Sequence, residues 1–158
     1  MTLQAPALLA AAHHLDGFES GVASLDDWLK RRARSNQASG ASRTYVLADA
    51  QGVVLGYYAL ASGALALGEA PGNIRRNMPD PIPMAVLGRL AIDRRHQCKG
   101  FGVALLQDAV MRVRQAAAIM GIRGILVHAI SDEAKRFYER CGFTPGVKQP
   151  MTLILPLS

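Results

Sequence analysis

Three groups of residues in this chain have types and spacings that could do chemistry. The first is Gln97-Cys98-Lys99-Gly100-Phe101-Gly102, in which two glycines two apart follow the apolar β-formers Leu87 to Ile92. The long segment after it carries Leu106, Val110, Val113, Ala117 and Met120 at spacings of four and three, the period of an amphipathic helix. Gly121 stands where a helix C-cap belongs. The unit reads strand, glycine loop, helix. Its chemistry follows from the helix start, where the first N–H groups have no intrahelical partner and the macrodipole concentrates positive charge. Glycines keep side chains away, so a phosphate or diphosphate can sit on those N–H groups. A Walker A loop is excluded, because Lys99 precedes Gly100 and no Gly-Lys-Ser/Thr follows. The dinucleotide fingerprint also fails, for it needs three glycines and a later acid.

The second group is Phe137-Tyr138-Glu139-Arg140-Cys141-Gly142-Phe143. A phenol of pKa about 10 can donate a proton to a thiolate whose conjugate thiol has a pKa of about 8–9. Periodicity alone gives Tyr138 a second reading, as a core residue packed with Phe137 and Phe143. The third group is basic: Lys30, Arg31, Arg32 and Arg34 in one helix, then Arg43, Arg75, Arg76 and Arg89. The helix cluster reads equally as a solvated face or as a nucleic-acid contact surface. The formal net charge of +6 favours a polyanionic partner such as nucleic acid or the phosphates of coenzyme A.

The elements that must position these groups can be taken in chain order. Leu3–Ala12 is apolar and reads as a strand or a short helix. Ser24 and Asp27 suggest a capping box that opens a helix bearing Leu25, Trp28 and Leu29 on one face. Residues 35–41 are small and polar, a loop. Thr44–Ala48 and Val53–Leu60 are β-rich and flank a turn at Asp49–Gly52. Pro71–Pro83 reads as an irregular loop, and loops of that length are often functional. Beyond the central helix, Gly124–Ile130 reads as a strand in which His128 is expected to be a core residue. Ser131 caps a helix running to Arg140, and Met151–Leu157 closes the chain as a strand ending at Pro156. The order β–α–β–β–loop–β–α–β–α–β predicts an α/β fold, with a mixed sheet whose first half is mostly antiparallel.

At 158 residues the chain has the length of a single domain, 1–158, with one core. No apolar run approaches the roughly 18 residues of a membrane-spanning helix. Met1-Thr2-Leu3-Gln4 lacks the basic start of a signal peptide, although Ala5–Ala12 is apolar, so a cytoplasmic setting is expected. Cys98 and Cys141 lie far apart with no Cys-x-x-Cys, which argues against a disulfide framework and against a metal site. Cys98 reads as incidental despite its place beside a helix start.

Gln97, Gly100 and Gly102 resemble the acyl-CoA loop of the GNAT superfamily of N-acetyltransferases, and Phe137-Tyr138 with Gly142-Phe143 resembles that family's F-Y-x-x-x-G-F segment. The resemblance implies the GNAT fold, a mixed central sheet flanked by helices, and acetyl-CoA as co-substrate. It places the diphosphate on Gln97, Cys98, Lys99, Gly100, Phe101, Gly102 and Val103, and the pantetheine arm along Leu90, Ala91 and Ile92. Tyr138 takes the place of the acid that protonates the departing thiolate. Ser131 stands where many members carry Asn.

Nearly the whole chain is similar to the GNAT toxins of type II toxin–antitoxin modules. The similar stretches include Phe18–Gly21, Leu25–Leu29, Thr44–Val46, Gly88–Asp93, His128–Asp132 and Pro150–Leu153. That likeness implies acetylation of the α-amine of aminoacyl-tRNA, which blocks translation. It also implies a homodimer and a ribbon–helix–helix antitoxin that binds DNA. Lys30, Arg31, Arg34, Arg43, Arg75, Arg76 and Arg89 are then the tRNA-binding residues. An α-amine of pKa about 7.7–8.0 is partly neutral already, so no general base is required; Glu19 and His128 are the candidates if one is. Two other readings share these residues: an enzyme acting on a small amine or a protein N-terminus, and a non-catalytic module that binds CoA.

Overall fold

The computed structural model describes Leu3 to Leu157; Met1, Thr2 and Ser158, at the ends of the expected domain 1–158, lie outside the described residues. The elements are β1 (Ala7–Leu8), α1 (Ala23–Arg31), α2 (Ala33–Ser39), β2 (Arg43–Ala48), β3 (Val54–Leu65), α3 (Gly72–Arg75), β4 (Ile82–Ile92), α4 (Phe101–Ala117), β5 (Gly124–His128), α5 (Asp132–Arg140), β6 (Thr144–Pro145) and β7 (Thr152–Pro156). The strands form one mixed sheet in the order β1-β2-β3-β4-β5-β7-β6. β2 pairs antiparallel with both β1 and β3, β5 runs parallel to β4, and β7 runs antiparallel to both β5 and β6.

The chain folds as two compact units, Met1–Ala61 with Arg89–Ala109, and Ser62–Gly88 with Val110–Ser158. In the first, Phe18, Leu25, Leu29, Ala33, Val46, Val54, Tyr57 and Ala91 form a core. Tyr57 is wholly buried and donates its phenol to the Leu25 carbonyl at 2.6 Å. Phe18 meets its ring edge-on at 5.6 Å, and Trp28 stacks on it at 6.0 Å. The buried Tyr58 ties β3 to α4 by donating to the Asp108 carboxylate at 2.5 Å. In the second unit, Leu65, Ala70, Ile74, Ile82, Met84, Leu126 and Ile154 form the core. There the buried Glu69 accepts from the N–H groups of Lys148 and Gln149, at 2.8 and 2.6 Å, and so holds the turn before β7.

Several local expectations are corrected. Ser24 is not an N-cap and forms no capping box with Asp27: Val22 occupies the cap position with extended backbone and no side-chain cap, while the neighbouring Asp26 turns inward to accept from Ser20. Residues 35–41 are not a loop, because helix α2 runs through them to Ser39. The two helices break at Arg32, whose φ is −120°, and Ala33 anchors the second one in the core. The central strand begins five residues earlier than expected, at Ile82. Pro83 can join it because it takes part there through its carbonyl, which accepts the Arg123 N–H at 2.9 Å. Helix α4 stops at Ala117, leaving Ile119 and Met120 exposed. The apolar N-terminal run becomes only the two-residue edge strand β1, and the equally short β6 had no signal in the sequence.

Gly124 illustrates close packing between strands. A Cβ there would stand 2.5 Å from the Leu155 carbonyl oxygen and 3.2 Å from the Met84 methyl. The carbonyl belongs to a paired strand and cannot move aside. Gly124→Ala is expected to lower the unfolding free energy by about 1–3 kcal/mol, measured by urea denaturation; an unchanged midpoint would contradict the packing described.

Candidate active site

The glycine loop takes the expected form. Arg94–His96 make one 3₁₀ turn after β4, Cys98 and Gly100 lie in the left-handed region at φ 62° and 83°, and α4 opens at Phe101. Gly100 suits that φ, and a Cβ on it would meet nothing within 4 Å, so the space beside the loop is open. The Ala104 N–H donates to the Gly100 carbonyl at 3.1 Å and closes the first turn. The N–H groups of Phe101, Gly102 and Val103 therefore have no carbonyl one turn back within α4, which is the donor set a diphosphate takes. The residues fit the phosphates of a coenzyme A thioester.

What holds this loop was not apparent from the sequence. Asp93, with no exposed surface, accepts the Glu19 N–H at 3.1 Å and the Arg95 N–H at 3.0 Å. It also pairs with the Arg95 guanidinium at 3.0 and 3.2 Å. Burial alone would raise its pKa, but the hydrogen bonds from Arg95 and Glu19 outweigh that and hold the carboxyl down at about 2. Gln97 donates Nε2 to the carbonyls of Ser20 and Ile92, at 2.7 and 2.8 Å. Its side-chain amide thus braces the loop, whichever backbone groups face the ligand. Ser20 is fixed in turn by the buried Asp26, which accepts from its N–H at 3.0 and 3.1 Å and from its hydroxyl at 2.6 Å. The signal available was the pair of acids Asp26 and Asp93 flanking apolar stretches; Asp26 reads instead as a first-turn helix acid.

Leu90, Ala91 and Ile92 lie at the end of β4, whose register with β5 is set at Ala85 and Val86. Tyr138 sits in the second unit on α5, which Ser131 caps by accepting the Ala134 N–H at 3.1 Å, as expected. Its residue is 6% exposed, with Phe137 edge-on at 5.2 Å and Phe143 at 5.4 Å. Burial, with a smaller contribution from Cys141, pushes its phenol above the ordinary range, so it keeps its proton at neutral pH.

The basic residues divide by role. Lys30 and Arg31 are exposed on the last turn of α1. Arg34 donates to the carbonyls of Ala10 and His13, at 3.3 and 2.7 Å, and Arg43 to that of Gln37 at 2.9 Å. Arg89 lies over the Trp28 ring at 4.5 Å. Arg75 and Arg76, in the second unit, are exposed around the end of α3. His128 is not a core residue: it is exposed at the end of β5, 3.0 Å from the Thr152 hydroxyl. Glu19 is exposed and paired with Arg94 at 3.2 Å. Among the described residues no cluster of His, Cys, Asp and Glu could hold a metal ion, and no helix is long and apolar enough to cross a membrane.

A mixed seven-strand sheet with a glycine loop between β4 and the head of α4 is the frame of an acyl-CoA-dependent transferase fold. The acetyltransferase (GNAT) domain model matches residues 40–145, and the chain belongs to that family. The tRNA-acetylating toxin of Mycobacterium tuberculosis (strain ATCC 25618 / H37Rv) is 48% identical over 151 residues, covering 96% of this chain and 90% of that protein. The structure of AtaT complexed with acetyl-methionyl-tRNAfMet superposes with a TM-score of 0.91 at 30% identity, covering 98% of this chain and 94% of AtaT. A Tyr-to-Phe variant of AtaT, bound to acetyl-CoA and the C-terminus of the antitoxin AtaR, gives a TM-score of 0.86 at 30% identity, covering 99% and 94%.

The depressed carboxyl of Asp93 stabilises the fold above pH about 4, and that contribution is lost as pH falls from 4 toward 2. Asp93→Asn is therefore expected to be less stable than the parent at pH 7, with the gap narrowing at pH 3. Chemical denaturation at the two pH values checks it, and a gap that stays constant would count against the assignment.

Proposed function

We propose that this chain is a single-domain toxin acetyltransferase that moves an acetyl group from acetyl-CoA to the α-amine of aminoacyl-tRNA and so blocks translation. The observation that carries the reading is the braced loop at the start of α4. Its likeness over nearly the full chain to a tRNA-acetylating toxin names the acceptor. In this reading the backbone of Gln97–Val103 holds the diphosphate, and Leu90–Ile92 line the pantetheine arm. The thioester supplies an activated acetyl carbon. The neutral α-amine attacks that carbon, the carbon–sulfur bond breaks, and Tyr138 gives its phenolic proton to the departing sulfur. The amine loses one proton as the amide forms, and that proton returns the phenolate to phenol. A phenol kept protonated by burial suits this role, whereas an ionised one could not donate.

Lys30, Arg31, Arg34, Arg43, Arg75, Arg76 and Arg89 make up the cationic surface for tRNA. Arg89 is held in place by the Trp28 ring beneath it, which is itself stacked on Tyr57. The protein acts in the cytoplasm as a homodimer and is neutralised by a ribbon–helix–helix antitoxin; the AtaT structure with the AtaR C-terminus supports an antitoxin partner.

Incubation with labelled acetyl-CoA and total charged tRNA is the direct test: label must appear on aminoacyl groups, and its absence would end this reading. Tyr138→Phe is expected to lower kcat by about 10²–10⁴ while acetyl-CoA affinity, measured by calorimetry, holds. Charge reversal at Lys30 and Arg31 is expected to raise KM for aminoacyl-tRNA with acetyl-CoA binding unchanged.

A further inference from the structure

The second unit contains a cavity of about 440 Å³ lined by Asn73, Arg76, Asn77, Met78 and Arg123, within the size range of small-ligand pockets. None of the five is acidic, and two carry guanidinium groups. Arg123 is pinned: Nε donates to the Ile74 carbonyl at 3.2 Å and Nη2 to that of Asn73 at 2.9 Å. A guanidinium has five N–H donors, so three of Arg123's remain after these two bonds. A cation already held in place loses little freedom when it binds an anion. Arg76 is exposed at the rim and adds a second cation. Asn73 and Asn77 bring amides of the kind that pair with base edges, and Met78 brings a polarizable wall. The cavity lies beside Arg123, at the N-terminal end of β5, whereas Tyr138 lies on the helix that follows its C-terminal end. At roughly 3.3 Å per residue, the four steps from Gly124 to His128 separate the two ends of β5 by about 13 Å. The cavity is therefore not where acyl transfer occurs.

We infer that this cavity takes one nucleotide of the bound tRNA, its phosphate between Arg76 and Arg123 and its base against Met78 with Asn73 and Asn77 at the edge. The inference rests on the tRNA reading above and adds a second point of attachment remote from the reacting amine. A nucleotide of the tRNA offers in one unit a phosphate for the two cations, a base edge for the amides and a flat base face for the methionine, which favours RNA.

The test uses Arg76→Glu and Asn73→Asp, each of which puts a carboxylate at the cavity and leaves Arg123 in place. Fluorescence anisotropy with labelled deacylated tRNA is expected to show at least a tenfold weaker Kd for each. For Arg76→Glu, the dependence of log K on log salt should be shallower by about one contact. Transfer to aminoacyl-tRNA should show a raised KM for both variants; for Asn73→Asp, kcat and the turnover of a minimal aminoacyl-adenosine, which cannot reach the cavity, should not change. Unchanged tRNA affinity in both variants would overturn the inference. So would an equal loss on the minimal substrate. So would a site that binds adenosine monophosphate or an acidic antitoxin peptide while tRNA affinity stays the same in the variants. If the parent binds tRNA and the variants lose it, but the parent transfers no acetyl group, the cavity assignment stands and the toxin reading fails.

Discussion

A carboxylate that water does not reach holds the head of α4 in place. Asp93 gathers donors from the segment before α1 and from the turn after β4, through the Glu19 N–H and through Arg95. Gln97 and Asp26 complete the brace, so that Ser20 is held from both sides. Orphan helix N–H groups bind a phosphate well only if they already point at it, since an ordering cost at the moment of binding subtracts from affinity. In the proposed reading the brace removes that cost in advance. Removing the donors around Asp93 would leave a buried carboxylate short of partners, a larger penalty than a bond's own net worth.

Two buried tyrosines show how one physical effect serves different ends. Burial raises the pKa of both Tyr57 and Tyr138. Tyr57 spends its proton on the Leu25 carbonyl and its ring on Phe18 and Trp28, so it is a structural post. Tyr138 is fixed by the rings of Phe137 and Phe143, while its protonated state is what acyl transfer from a thioester asks of an acid. In the proposed reading its packing and its acid role are therefore not alternatives: the same apolar surroundings that bury the ring keep the proton on it.

Positive charge is also divided between tasks. Arg34, Arg43, Arg95 and Arg123 direct guanidinium donors at backbone carbonyls or at Asp93. Lys30, Arg31, Arg75 and Arg76 are exposed. A count of cations in the sequence cannot make this division, because a guanidinium's five donors serve a carbonyl or a phosphate equally well.

Local signals account for what the sequence could determine alone. Alternation and apolar runs located the strands β2, β3, β5 and β7. The glycines at the head of α4, the Ser131 cap and the 3.6-residue period located the loop and its helices, because propensity, capping and positive φ act over a few residues. The tertiary structure alone decided that Asp26 turns in to Ser20 and that Asp93 reaches Glu19. It likewise decided that small polar residues after Arg32 continue as helix because Ala33 is buried, and that His128 emerges beyond the buried part of β5. Each of these depends on a partner that comes from elsewhere in the fold or on how deep a residue lies. A buried carboxylate and an exposed one have the same letter in the sequence, and only desolvation and the donors gathered around it set them apart.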